Sequence, residues 1–126
     1  MKKLSFWKRL FLPVQFPYAC RLCDDQNPDF KSARSQSREG DELQIVHLPD
    51  EANPLGVFVY NVSINLVIGC LTKHSAQRLI KAFGKGFCVD GEVLVWIAER
   101  DDFRVDVLVF DKQSLMKNAD FSSLHE

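Results

Sequence analysis

Two short apolar runs in the middle of the chain, residues 56–60 and 64–68, organise its hydrophobic pattern. Both are rich in β-branched and aromatic residues, which favour strands. The residues between them, 61–63, form a short and mostly polar break. The pattern predicts two antiparallel strands joined by a tight reversal of the chain.

After the second run the period of the apolar residues changes to that of a helix. Four residues follow the spacing i, i+3, i+4, i+7 of one helix face: Ala76, Leu79, Ile80 and Phe83. Thr72 or Ser75 can cap the start of this helix, and Gly84 and Gly86 can end it. The spacing predicts a helix over residues 72–83.

The remaining strands are predicted over residues 14–22, 42–48, 92–98 and 103–110. Pro17 indicates that the first of them is an edge strand or contains a bulge. Residues 23–40 are predicted to be a long loop with one helical turn near residues 30–38. Residues 99–102 join the last two strands into a hairpin, which gives the order β-β-β-β-α-β-β.

This order predicts a fold that is mainly β with one principal helix (α+β), as an OB-like, partly open β-barrel of about six strands. The barrel domain would span residues 14–110. Residues 1–13 are an amphipathic N-terminal segment, which packs on the domain or lies on a membrane or partner. We favour packing on the domain. Residues 111–126 are a polar C-terminal tail.

The charges are segregated along the chain although the 126 residues carry a net charge of only -1. Residues 61–89 contain four Lys and Arg residues and no acid, and residues 1–22 contain five and no acid. These blocks form a basic face on a nearly neutral protein, or they are a scatter of solvated charges. The sequence leaves both interpretations open.

The chain has four cysteines, Cys20, Cys23, Cys70 and Cys88. Cys20-x-x-Cys23 is half of a zinc site, but the other two cysteines do not form a second knuckle. We therefore expect no metal, no cofactor and reduced thiols. The sequence shows no convincing signal peptide and no apolar run of membrane-spanning length, so we expect a cytoplasmic protein.

The succession of short motifs resembles a HIRAN domain from about residue 14 to residue 110. The matching pieces are GDEL at 40–43, LPD at 48–50, NPLGVFV at 53–59 and IGCL at 68–71, followed by the helix and the closing hairpin. The chain departs from the family at Asn53-Pro54-Leu55-Gly56, where a carboxylate is lost, and at Cys70, where the family has tyrosine. The chain has no helicase motif and resembles a free-standing version.

The resemblance implies an OB-like barrel that binds the 3′ end of single-stranded DNA, as HIRAN domains attached to chromatin-remodelling helicases do. Aromatic rings would stack on bases, basic residues would contact phosphates, and a carboxylate or amide would lie near the terminal hydroxyl. The candidates for base stacking are Phe16, Tyr18 and Tyr60. The candidates for phosphate contacts are Lys73, Arg78, Lys81 and Lys85. The candidates near the terminal hydroxyl are Asp50 and Asn53. The structural alternatives are core aromatics, a solvated helix face and ordinary turn residues.

No arrangement of residues indicates catalysis, because the three histidines lie in unrelated contexts and no nucleophile motif is present. We therefore predict a non-enzymatic nucleic-acid-binding module. Its expected partner is single-stranded DNA, with a larger protein complex as a further partner and no firm membrane association. The alternative is a protein-interaction or membrane-peripheral domain that keeps the barrel but has lost the DNA site.

Overall fold

The computed structural model describes residues 14–23 and 26–114. Six strands and two helices are present there, in the order β1, α1, β2, β3, β4, α2, β5, β6. The strands are β1 Tyr18–Arg21, β2 Glu42–His47, β3 Val57–Asn61, β4 Leu66–Cys70, β5 Cys88–Ala98 and β6 Phe103–Gln113. The helices are α1 Pro28–Gln36 and α2 Lys73–Phe83.

All six strands form one antiparallel sheet in the order β1-β6-β5-β2-β3-β4. The prediction of a mainly β fold with about six strands is confirmed. The predicted barrel is supported only in part, because the sheet is not closed by a ladder between β1 and β4. Within the described residues, these two edges meet at one isolated antiparallel bridge between Leu22 and Leu71.

Helix α2 was predicted correctly, and its apolar face packs against the main hydrophobic core. Ala76 and Leu79 are completely buried, whereas Ile80 and Phe83 are partly buried against the same core. Thr72 is the N-cap, with its Oγ1 accepting from the Ser75 amide at 3.4 Å. Gly84 ends the helix with a φ of 90°, which glycine adopts without a steric penalty.

The prediction of a long loop over residues 23–40 with one helical turn near residues 30–38 is correct only in part, because a nine-residue helix, α1, occupies residues 28–36. Asn27 caps it by accepting a hydrogen bond from the Asp29 amide at 2.9 Å, and Pro28 opens the first turn. Asn-Pro is a regular helix-start signal, since a capping side chain precedes a residue that needs no amide donor. The polar composition hid this helix, of which Phe30, Ala33 and Arg34 are buried.

Arg34 connects α1 to two distant parts of the sheet. Its Nε and Nη2 donate to the two carboxylate oxygens of Asp102 at 3.2 and 3.1 Å. Its Nη1 donates to the carbonyl of Ile68 in β4 at 3.1 Å. The backbone carbonyl of Arg34 also accepts from the indole of Trp96 at 2.8 Å. One residue therefore links α1, β4 and the β5–β6 hairpin.

Several predicted strand boundaries need correction. The turn before β4 falls at residues 62–65, with Asn65 at a φ of 61°, so β4 starts at Leu66 and not at residue 64. β5 starts at Cys88 instead of 92. β6 continues to Gln113, beyond the predicted domain limit at 110. The predicted helix over residues 1–12 and the tail from residue 115 lie outside the described residues.

Replacing Leu79 by Ala should destabilise the protein by about 2–5 kcal/mol, because Leu79 is fully buried under the sheet and its loss leaves a cavity. Urea unfolding measures the effect. Gln77→Ala, on the exposed side of the same helix, is the control and should change stability by less than about 0.5 kcal/mol. Equal effects of the two substitutions would show that the helix faces are assigned wrongly.

Replacing Arg34 by Ala should cost about 3 kcal/mol, since it breaks a buried ion pair and leaves the Ile68 carbonyl without this donor. Arg21→Ala removes an ion pair with Asp106 in which the arginine side chain is 60% exposed, so it should cost under about 1 kcal/mol. Denaturant melts of the two variants compare the pairs. A cost for Arg34→Ala no larger than that for Arg21→Ala would contradict the proposed role of Arg34.

Candidate nucleic-acid interface

Helix α2 carries a concentration of positive charge without a compensating acid. Its eleven residues include Lys73, Arg78 and Lys81 and no Asp or Glu, and Lys85 follows in the turn after it. The three lysines are exposed and Arg78 is partly exposed. Within the described part of the chain, Lys73, Arg78 and Lys85 are in no ion pair. Their charge is therefore available to an anionic partner.

Tyr18 and Arg78, which the sequence offered as separate candidates, lie together. The guanidinium carbon of Arg78 is 5.8 Å from the centroid of the Tyr18 ring, within the range of a cation–π contact. The Tyr18 hydroxyl is 3.2 Å from the hydroxyl of Ser75 on the same helix. Ser75 thus fixes the half-buried ring of β1 beside the basic helix.

Phe16 lies at the border of the hydrophobic core. Its ring contacts that of Phe83, with centroids 5.0 Å apart, and Phe83 in turn contacts Phe87 at 5.4 Å. Phe16 is half-buried, so only part of the ring remains accessible beside α2. Its first role is packing, and any contact with a base would use the remaining edge.

The interpretation of Tyr60 as a stacking residue is wrong. The side chain is only 4% exposed and packs in a small cluster with Val46 and Cys88. A base needs an accessible ring face, and Tyr60 offers none in this fold. β3 is an interior strand between β2 and β4, which explains the burial.

Asp50 and Asn53 form a turn before β3. The Asp50 carboxylate accepts from the Asn53 amide at 2.6 Å, and the Asn53 carbonyl accepts from the Asp50 and Gly56 amides at 3.2 and 3.1 Å. These are the contacts of ordinary Asx turn residues. The Asp50 carboxylate is therefore engaged by the turn, whereas the exposed Asn53 side chain borders a pocket.

This pocket has a volume of about 320 Å³ and lies between the 53–56 loop and the start of α2. Asn53, Pro54 and Leu55 line one side, and Cys70, Leu71 and Lys73 line the other. The amide and the ammonium group at its border are hydrogen-bond donors suited to a phosphate or a terminal hydroxyl. The pocket joins two of the predicted site residues, Asn53 and Lys73.

The candidates form two groups on opposite flanks of α2. Lys73, with the pocket, and Arg78, with Tyr18, are about 140° apart around the helix axis. Lys81 falls between them, about 80° from Lys73. The helix therefore presents a continuous basic surface with a ring on one flank and a pocket on the other.

A second pocket of about 200 Å³ lies near Arg21, Arg34 and Arg104. These arginines are paired with Asp102 or Asp106, and Glu99 also borders the pocket. The positive charge is compensated there, so this pocket is a poorer phosphate site than the surface of α2.

Sequence reasoning missed His47, which connects the two loops next to α2. It is 3% exposed and stacks on Phe87. Its Nδ1 accepts from the Gly86 amide at 2.9 Å, so the neutral ring donates from Nε2 to the Pro54 carbonyl at 3.0 Å. No sequence signal marks this role, because both partners are backbone groups, one in the 53–56 loop and one in the turn after α2.

The first cysteine of the Cys-x-x-Cys motif lies in β1 and the second lies two residues beyond its end. Cys20 packs against the core beside Ser75, whereas Cys23 is partly exposed. Burial raises the pKa of Cys20 to about 12, against the hydrogen bond with Ser75 that lowers it. The described residues contain no group of three potential metal ligands.

No family model matches this chain, and neither a curated protein nor a solved structure matches it. The membership in the HIRAN family thus stays a prediction from the sequence motifs. In the described part of the chain, α1 and α2 are too short and too polar for either to cross a membrane.

Alkaline pH should destabilise the fold through Cys20. The folded-state pKa of about 12 exceeds the unfolded value near 9.0. The free energy of unfolding is therefore unaffected by this thiol below pH 9.0 and decreases above it, as the thiol of the unfolded chain ionises. The loss is about 1.4 kcal/mol per pH unit in that window. Urea unfolding at about pH 8 and about pH 10 should show a larger loss for the native sequence than for Cys20→Ser.

Other groups titrate in the same pH range, so the loss of stability in the native protein is compared with the loss in Cys20→Ser. Cys88, whose pKa is also raised, first by burial and then by Asp90, remains in both proteins and cancels. Equal pH dependence of the two proteins would contradict the buried position of the Cys20 thiol.

Proposed function

We propose that this protein is a non-enzymatic nucleic-acid-binding module that takes single-stranded DNA, in the manner of HIRAN domains. The contact between Tyr18 and Arg78 on the acid-free helix α2 is the observation that carries the proposal. It supports the proposal because an aromatic ring and a cation lie side by side, as binding of a base and its phosphate would require. A cytoplasmic location, in which a disulfide would be reversible and not permanent, belongs to the same proposal.

The basic surface of α2 supplies the phosphate contacts. Lys81 and Lys85 project from exposed positions, and Arg78 carries a guanidinium held against the Tyr18 ring. The Arg78 Nε is buried and makes no hydrogen bond with the described residues, so protein acceptors do not hold that atom. A ligand phosphate is a natural acceptor for the outer guanidinium nitrogens.

Base stacking is assigned to Tyr18, with Phe16 at its side. Stacking on an aromatic ring contributes about 1–3 kcal/mol per base and tolerates every base, because all bases present a π face. Tyr18 is preferred to Phe16 because its hydroxyl already has a partner in Ser75 and the ring is anchored without being fully buried.

We assign the pocket at Asn53 and Lys73 to binding of the 3′ end of the DNA. The family places a carboxylate in this loop, and the amide of Asn53 replaces it here. An amide makes a neutral and weaker hydrogen bond to a hydroxyl than a carboxylate does. We therefore expect only a modest preference for a free 3′ hydroxyl over a 3′ phosphate.

The finer description of the fold as an OB-like barrel is part of the proposal. The Leu22–Leu71 bridge supports it, because it brings the two edges of the sheet together at one point. On either side of that point the two helices cover the opening, with α1 at Ile68 and α2 at Tyr18.

Single-stranded DNA should bind weakly and in a salt-dependent manner. Each phosphate contact on a single strand contributes about -0.7 to the slope of log K against log salt. Two to four contacts from the basic surface give a slope between about -1.4 and -2.8. Fluorescence anisotropy with a short labelled oligonucleotide at several salt concentrations measures it.

Substitutions distinguish the contribution of the basic side chains to DNA binding from that of the Tyr18 ring. Lys81→Glu should reduce the slope without unfolding the protein, whereas Arg100→Glu, the same reversal in the exposed β5–β6 turn, should leave it unchanged. Tyr18→Ala should weaken binding at every salt concentration and keep the slope, because stacking releases no counterions. Absence of binding even at low salt would reject the nucleic-acid proposal.

A protein-interaction module is the second candidate, and one observation favours it. Leu94 and Ile97 on β5 are 41% and 45% exposed, on the part of the hairpin that extends beyond β2. Exposed apolar side chains on a projecting hairpin suit a protein partner. If the DNA titration fails, this hairpin is where such a partner would be sought.

A further inference from the structure

Cys23 and Cys70 face each other where the two edges of the sheet meet. The antiparallel bridge pairs Leu22 with Leu71, so the next pair in register is Cys23 with Cys70. The Cys23 amide donates to the Cys70 carbonyl at 2.8 Å, which confirms this register. Residues 47 positions apart in the chain (70 minus 23) are thus direct cross-strand neighbours.

Both side chains point to the outer side of the sheet. Leu22 and Leu71 are buried at 8% and 4% exposure, and side chains alternate along a strand, so the adjacent cysteines point away from the core. Cys23 and Cys70 are accordingly partly exposed. A small oxidant in solution can reach them.

The other two cysteines are protected. Cys20 lies on the inner side of β1 and Cys88 is buried. Burial raises the pKa of both thiols, so little of the reactive thiolate is present at neutral pH. Oxidation should therefore modify Cys23 and Cys70 before Cys20 and Cys88.

We propose that Cys23 and Cys70 form a reversible disulfide that fastens β1 to β4. Opposite residues of a hydrogen-bonded antiparallel pair have Cα atoms about 5.5 Å apart, within the range of about 4.4–6.8 Å seen in disulfides. Their Cβ atoms, about 4.5–5.5 Å apart, must approach to about 3.5–4.5 Å. The bridge is a single isolated pair, which leaves the strand ends room for this shift.

The need for the Cβ atoms of Cys23 and Cys70 to approach each other makes the disulfide easy to reduce. A disulfide that forms only after a shift of its strands retains strain, and strained, accessible disulfides are the easily reduced ones. We therefore assign to the pair a redox-responsive role in place of a permanent structural one.

The oxidant is a small disulfide such as oxidised glutathione. A deprotonated Cys23 attacks one glutathione sulfur, forms a mixed disulfide and releases the first glutathione thiolate. Cys70, after losing its proton, attacks the Cys23 sulfur and displaces the second. Two electrons pass from the protein to glutathione disulfide, and the two thiol protons end on the two glutathione molecules or in solvent.

Oxidation also reaches the proposed ligand site, and this part of the inference rests on the proposed function. Cys70 lines the pocket that contains Asn53 and Lys73. Drawing its sulfur towards Cys23 changes the wall of that pocket. The disulfide would then lower the affinity for a strand end.

The test treats the native full-length protein with oxidised glutathione and measures intact mass, followed by digestion and mapping without reduction. We expect a loss of about 2 Da, one linked peptide pair containing Cys23 and Cys70, and reversal by dithiothreitol. Cys23→Ser and Cys70→Ser should each abolish the link, with circular dichroism confirming their fold. Cys20→Ser and Cys88→Ser should retain it.

A link that contains Cys20 or Cys88, a glutathione adduct that never resolves, or no reaction would overturn the proposal. Anisotropy with the labelled oligonucleotide tests the second part, because the oxidised protein should bind it about threefold more weakly than the reduced protein. Equal affinity of the two forms would overturn the coupling to the pocket. If the reduced protein binds no DNA, the proposed function fails, and the peptide map still decides on the disulfide.

Discussion

A six-stranded antiparallel sheet that does not close has two edge strands whose outer backbone groups need partners. Here β1 and β4 are those edges, and within the described residues they are joined by the Leu22–Leu71 bridge and by the hydrogen bond from the Cys23 amide to the Cys70 carbonyl. Arg34 supplies the next connection by donating to the Ile68 carbonyl of β4 while it pairs with Asp102. This one buried guanidinium therefore connects edge strand β4 to helix α1 and to the β5–β6 hairpin.

The Arg34–Asp102 ion pair suits a buried position because its donors have acceptors and because these hydrogen bonds fix the orientation of the guanidinium. Asp102 accepts through both oxygens, and the third arginine nitrogen has the backbone carbonyl, so the planar guanidinium is oriented in space. A lysine could not make this set of contacts. Trp96 adds to it by donating to the Arg34 carbonyl and by stacking on Phe103 of β6.

Helix α2 has different neighbours on its two flanks, which therefore differ in chemistry. One flank faces Tyr18 on β1, and the other faces the 53–56 loop that leads into β3. His47 connects the 53–56 loop to the turn after α2, through the carbonyl of Pro54 and the amide of Gly86. The helix, the ring and the pocket are thus parts of one supported surface, and the Cys23–Cys70 pair lies beside it.

The sequence by itself determined those elements whose signals are local. The helix at residues 73–83 and the hairpin turn at 99–102 follow from apolar period and capping, since these depend on residues within a few positions of each other. Helix α1 also had a local signal, Asn27-Pro28, but its few buried residues gave no clear apolar period. The basic character of α2 and the candidate Tyr18 were likewise evident from the residues alone.

Only the tertiary structure decided which candidates meet. The burial of Tyr60, the contact of Tyr18 with Arg78 and the roles of Arg34 and His47 depend on strand order and on backbone partners far away in the chain. Such pairings have no sequence period, because a strand specifies which of its faces is apolar but not which strand lies beside it. For the same reason the facing cysteines became visible only when β1 and β4 were placed together.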